Sequence, residues 1–252
     1  PPFGAGIGLP TENVVPALQW AGARAHNRWL AEVVSMAPER HFGVAIIPAC
    51  RDDMDTTLAE VRWAREHGLG GIMLPPVWGR KRTYHHPFYE PPWALCQDLG
   101  TIIHFHSGPA PAEDYFGPMP PQPGQPQLPG GVGIYITEVP FWNVRPVTFM
   151  LWGGVFTRHP RLKVAITEGT TVWAPEYVAL LAQRYAEAHY SAKLGDFRSH
   201  LKGKSPAQAF RDNVFLGASC MPRREAELRH AIGLHQIGWG SDYPHPEGSW
   251  PF

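Results

Sequence analysis

The sequence predicts an α/β fold built on a parallel sheet, and within that class a TIM (β/α)8 barrel of which six strands are present and two are missing. Three observations carry the expectation. Six short apolar runs alternate with helical segments along the 252 residues, the pattern of right-handed βαβ units. The ionisable residues gather at the C-terminal ends of those runs, where a barrel assembles its active site from several strands. The glycine fingerprint of an open dinucleotide-binding sheet is missing, since "GAGIGL" at 4–9 lacks its third glycine and runs into Pro10.

The elements follow in order. "VVPALQWAGARAHNRWLAEVVSM" (14–36) spaces its apolar residues as an amphipathic helix, and Pro38 closes it. "FGVAIIPA" (42–49) is too short for a helix and reads as a strand. "DTTLAEVRWAREHGLG" (55–70) is a helix with Asp55 as N-cap and Gly68 as its stop. The strand "GGIMLPP" (70–76), a helix over 90–99 and the strand "TIIHFHSG" (101–108) come next. An irregular stretch precedes a helix near 143–157 and the strand "LKVAITEG" (162–169). Helices over 174–193 and 205–212 lead to the strand "NVFLGAS" (213–219). A helix over 223–233 and the strand "QIGWGSD" (236–242) complete the set. Such near-continuous apolar runs predict a sheet covered on both faces.

Composition narrows the function. Lys plus Arg and Asp plus Glu both number 22, without a basic block, which argues against a nucleic-acid footprint or a polybasic membrane anchor. No apolar run reaches membrane-spanning length. Three scattered cysteines, Cys50, Cys96 and Cys220, suit reduced thiols and a cytoplasmic location. The first residue is Pro1 rather than Met, so the chain reads as one partial barrel domain, 1–252, of a longer protein, and any targeting signal lies upstream.

The chemistry concentrates in three places. His104 and His106 are two apart on one strand, so both imidazoles face the same way. His106, at the rim, suits a metal or a substrate group; His104, one layer deeper, is equally a core histidine bonded to a backbone carbonyl. Asp242 follows the last strand in "GSDYPHPEG", where a carboxylate can ligate a divalent cation and take a proton from its water, or cap a turn. Pro244 and Pro246 stiffen the loop that presents His245 and Glu247. Glu168 ends its strand as a base, a ligand, an orienting partner for a histidine, or a charge paired with an arginine such as Arg145.

Residues 108–140 form a Pro- and Gly-rich, lid-like insertion. Trp78, Tyr84, His85 and His86 line an aromatic pocket or a surface cluster. No nucleophile elbow, CxxC or HExxH spacing occurs.

The stretches "AHNRWLAEVVSMAPERHFGVAIIP", "GLGGIMLP", "IHFHSG", "GGVFTRHPRLKVAITEG", "DNVFLGAS" and "WGSDYPHPEG" together resemble the amidohydrolase-related, metal-dependent barrels, the branch with aminocarboxymuconate-semialdehyde decarboxylase and the benzoate decarboxylases. The resemblance implies that His106 and Asp242 are metal ligands on the fifth and eighth strands. It also implies a ligand pair on a first strand absent from this chain, so the first two strands and the last helix are expected to be missing. The family's sixth strand usually ends in a catalytic histidine; here that position is Glu168, which weakens decarboxylation and leaves hydrolysis at least level. The expected function is a metal-dependent hydrolase or decarboxylase acting on a small cyclic or carboxylated molecule. Zinc is the expected metal with manganese second, and Asp242, Glu168 and His245 are the acid/base candidates. A homodimer is compatible with the family. The alternative is a metal-free, inactive barrel serving as a binding or structural module.

Overall fold

The computed structural model of the chain describes residues 16–48, 54–76, 82–106, 130–187, 189–219 and 221–243. Its strands are β1 (Gly43–Ile46), β2 (Leu69–Leu74), β3 (Ile102–His106), β4 (Val164–Thr167), β5 (Val214–Ser219) and β6 (Ile237–Gly240). They form one parallel sheet in the order β1-β2-β3-β4-β5-β6. Each strand pairs with its predecessor in the chain. A doubly wound sheet reverses at a switch point, whereas this one winds one way throughout, as a barrel does.

The helices are α1 (Pro16–Ser35), α2 (Met54–Glu66), α3 (Glu90–Leu99), α4 (Gly131–Trp142), α5 (Val144–Trp152), α6 (Val155–Arg158), α7 (Ala174–Ala186), α8 (His189–Leu194), α9 (Pro206–Asn213), α10 (Arg223–Glu227) and α11 (Arg229–Ile232). Several boundaries correct the sequence reading. Asp55 lies inside the first turn of α2 rather than capping it, where its charge still favours the positive end of the helix. Gly154, at φ +68, breaks the expected helix 143–157 into α5 and α6. Glu187, which accepts from Gln183 and Arg184, closes α7 short of 193. Leu228 divides 223–233 into α10 and α11.

The described end of the lid-like stretch is not irregular. From Gly131 it is helix α4, despite its glycines and Pro140. Propensity is a weak prior, and the backbone here is helical in spite of it. Residues 107–129, the body of the expected lid, lie outside the described residues.

The central strands alternate strictly. Ile103 and Phe105 are fully buried and join Val164, Ile166, Val214 and Leu216 in a core with Trp93, Val147, Phe156 and Phe210 from the helices. The intervening residues His104, His106, Thr167, Gly217 and Ser219 are only part-buried. The expectation of two fully covered faces therefore fails on β3–β5. On that face His104, His106, Thr167, Gly217 and Ser219 form a polar rim beyond Ile102, Ala165 and Phe215.

Buried amides stitch helices to strands. Asn27 of α1 is fully buried. Its Oδ1 accepts the Ile46 N–H at 2.7 Å, and its Nδ2 donates to Ile46 O and to Glu60 Oε1, both at 3.0 Å. Because Ile47 N–H bonds across to Met73 O, Ile46 points its groups away from β2, and Asn27 fills the place a further strand would take. Asn213 donates to Pro160 O and Leu162 O, and Gln236 to Phe210 O and Val214 O. Each amide satisfies backbone groups at a junction where regular pairing stops.

Candidate active site

The C-terminal ends of β3 and β4 meet at a carboxylate–imidazole contact. The register sets His106 beside Thr167, which brings the next residue, Glu168, to the imidazole. His106 Nε2 and Glu168 Oε2 touch, and each side chain is 32 % exposed, so the pair is open to a ligand. The contact sets Glu168 against a histidine. Arg145 instead lies with its guanidinium carbon 5.7 Å from the Phe149 ring centroid.

The loop behind Glu168 is clamped from two sides. Asn143, fully buried, donates from Nδ2 to Thr167 O at 3.1 Å. It also packs against Gly169, where a Cβ would stand 3.2 Å from that nitrogen. On the other side the buried Glu225 accepts both the Thr171 N–H and its hydroxyl, each at 3.1 Å. Between these anchors Glu168 is held at φ +54, a left-handed conformation that costs a non-glycine residue about 1–2 kcal/mol.

Asp242 repeats the pattern. It follows β6 at φ +59, in a turn where Tyr243 N–H reaches Ser241 Oγ at 3.4 Å. Of the three described non-glycine residues with positive φ, two are therefore carboxylates just past strand ends. Backbone strain of this kind clusters at functional sites. β4 and β5 lie between the strands carrying His106 and Asp242. His245, Glu247 and Trp78 lie outside the described residues.

His104 sits one layer down. Its Nδ1 is 3.2 Å from Thr167 Oγ1 rather than bonded to a backbone carbonyl. Its buried Nε2 has no partner among the described residues. Gly71 of β2 makes room for the ring, since a Cβ there would lie 2.8 Å from Nε2.

Burial lowers the His104 pKa from 6.5 to about 4, so the ring is neutral at pH 7. The unfolded chain binds the proton more readily, and this contribution to stability is present above pH 6.5 and lost as the pH falls towards 4. We expect about 2 kcal/mol of unfolding free energy to disappear between pH 7 and 5 from this group. Urea titrations of the wild type and His104→Asn check it: an equal acid loss in both would assign the proton elsewhere.

The aromatic cluster is corrected. Tyr84 is buried, donates to Pro75 O at 2.7 Å and packs with Tyr89, Trp93 and Phe105. It therefore belongs to the core. His86 caps the turn at Phe88 N–H, and the exposed His85 stacks on Phe149. Sequence reasoning missed Asn143 and Glu225, because the contacts that give them their role join distant parts of the chain.

A family model described as amidohydrolase matches residues 11–252. The chain belongs to the amidohydrolase family. Among solved structures it is similar to an amidohydrolase from Mycobacterium avium subsp. paratuberculosis, at 22% identity and TM-score 0.70, with 92% of this chain and 57% of that one covered. It is also similar to 5-carboxyvanillate decarboxylase from Sphingomonas paucimobilis, at 18% identity and TM-score 0.70, covering 92% and 64%. A third likeness is to dihydroxybenzoic acid decarboxylase from Polaromonas sp., solved with bound manganese and an inhibitor, at 18% identity and TM-score 0.62, covering 96% and 69%. The chain thus spans less than two thirds of the length of the first two structures. No curated protein matches it.

As an amidohydrolase, the chain can be asked how well its donors suit a metal. An imidazole nitrogen and a carboxylate oxygen meet at His106 and Glu168, ligand types that suit zinc or manganese. Among the described residues no group of three or more His, Cys, Asp or Glu side chains is arranged to hold an ion. Among the described residues the pair supplies two donors of these types. Among the described residues no helix is long and apolar enough to cross a membrane.

Proposed function

We propose that this amidohydrolase-family protein is a divalent-metal-dependent enzyme acting on a small cyclic or carboxylated organic substrate, with decarboxylation first and hydrolysis second. The observation that carries the reading is the His106–Glu168 contact at the mouth of adjacent strands. The left-handed backbone at Glu168 and Asp242 supports it, because such strain persists where function retains it. The names of the similar structures support decarboxylation. Glu168, in the place where the resemblance expects a histidine, supports hydrolysis.

His106 and Asp242 would hold the metal, zinc in the first instance; the manganese in the Polaromonas enzyme supports the second. When bound, a divalent ion supplies Lewis acidity. Glu168 stands beside whatever His106 binds and moves a proton at the substrate, and His245 is the further acid/base candidate. The partner is a small molecule. The equal charges support a protein without a nucleic-acid or membrane partner, the few scattered cysteines support the cytoplasm, and the family supports a homodimer.

A second reading, a metal-free binding or structural module, draws on the same contact. Glu168 already occupies the imidazole nitrogen that a ligand role would use. Metal analysis at neutral pH, beside assays of carbon dioxide release from carboxylated phenols and of lactone and amide hydrolysis, separates the two. We expect a stoichiometric metal that is lost in Asp242→Ala, with turnover on one panel. Metal-free protein that turns over neither panel would leave the module reading.

A further inference from the structure

We propose that a pocket between α4, α5 and α7 binds a flat aromatic anion of one or two rings. The pocket has a volume of about 410 Å³ and is lined by Phe141, Arg145, Thr148, Phe149, Trp173 and Tyr177, with Val144 at its base. Volumes of roughly 300–1,000 Å³ with aromatic walls and few polar groups are those of small-molecule sites. The proposal does not depend on the metal reading, because His106, Glu168 and Asp242 are absent from its lining.

The ligand's shape follows from the walls. Four aromatic side chains surround the space, and Phe141 is 57% exposed although it is large and apolar. Flat rings stack or pack edge-on against such walls more favourably than aliphatic chains of equal area. Trp173 and Tyr177 already stand edge-to-face, 5.6 Å apart, so one wall is preformed.

The ligand's charge follows from the donors. Thr148 Oγ1 donates to Val144 O at 3.1 Å, which leaves it to accept the Tyr177 hydroxyl at 2.6 Å. That leaves two donors on the lining. Among the described residues Arg145 makes a cation–π contact with Phe149 and no ion pair. The Trp173 Nε1–H is buried without an acceptor among the described residues. A cation lacking an anion, on the same lining as a tryptophan whose indole donor is unmet, selects a carboxylate or sulfonate over a neutral or cationic group, since guanidinium bonds planar anions through two parallel N–H groups. Burial also holds the Tyr177 phenol neutral, its pKa raised to about 12 despite the bond to Thr148, so no negative charge opposes the ligand.

Calorimetric titration of the protein with 1-naphthoate and with the neutral 1-naphthalenemethanol tests the assignment. We expect one saturable naphthoate site per chain, at least tenfold tighter than the alcohol. Arg145→Gln should remove that difference, and Trp173→Phe, which keeps a ring and loses the N–H, should weaken naphthoate several-fold. His106→Ala should leave naphthoate binding unchanged. Equal binding of acid and alcohol, or no saturable binding, would overturn the proposal. Loss of binding in His106→Ala would move the ligand to the β3–β4 mouth and overturn it too. So would concentration-dependent dimerisation that Arg145→Gln abolishes, because a second copy would then cover the pocket.

Discussion

Asn27→Ala is expected to cost about 3 kcal/mol of unfolding free energy, because it strands buried backbone groups and leaves a cavity. The amide is fully buried and makes three hydrogen bonds, two of them to the N–H and C=O of Ile46. The third goes to Glu60, a buried carboxylate that also carries Arg24 and Arg28. Alanine leaves Ile46 with neither partner, and water does not reach it. Asn27→Asp should fare no better, since a second carboxylate would face Glu60 and the donor to Ile46 O would be gone. Urea denaturation at pH 7 reads both. A loss below about 1 kcal/mol in Asn27→Ala would mean that another group takes over the strand edge.

Glu168→Gln is expected to lower turnover about 10²–10⁴-fold, the range that one positioned proton-transfer group supplies. The substitution keeps the shape of the side chain and its anchors at Asn143 and Glu225, so the melting temperature should hold. What it removes is the negative charge against the His106 imidazole. If Glu168 acts on protons, the acidic limb of the pH–rate profile should flatten in the variant. A variant with unchanged turnover would reduce Glu168 to a spacer.

Much of this architecture was legible in the residues. Five of the six strands fall within the apolar runs, and β2 begins one residue early at Leu69, because a buried parallel strand is built largely of apolar or small residues. Helix 90–99 is found at its expected ends, where Pro91 and Pro92 set the first turn and Gly100 turns left-handed at φ 65. What periodicity could not provide was the interruption of a helix whose apolar spacing continues across the break. At Gly154 and Leu228 the repeat runs on while the backbone does not. Helix α4 was hidden by its own glycines and proline, which punctuate a sequence as loops do.

The site was half legible. Same-face placement of His104 and His106 follows from the two-residue strand period, and the His106–Glu168 meeting needed only adjacent strands in register. The clamp by Asn143 and Glu225 was not legible. It depends on side chains 54 residues apart in the chain in the case of Thr171 and Glu225, and spacing carries no trace of such a contact. Tyr84 was misplaced because an aromatic residue beside histidines looks like a lining until its neighbours are known.

The unreversed strand order has a kinetic consequence. Short connections join β1 to β2, β2 to β3 and β5 to β6, so those pairs close at little entropic cost, whereas longer ones join β3 to β4 and β4 to β5. The longest closure brings together groups 63 residues apart, His104 and Thr167, and is expected to be the slowest pairing to form. The same step creates the seam at which His106 and Glu168 meet.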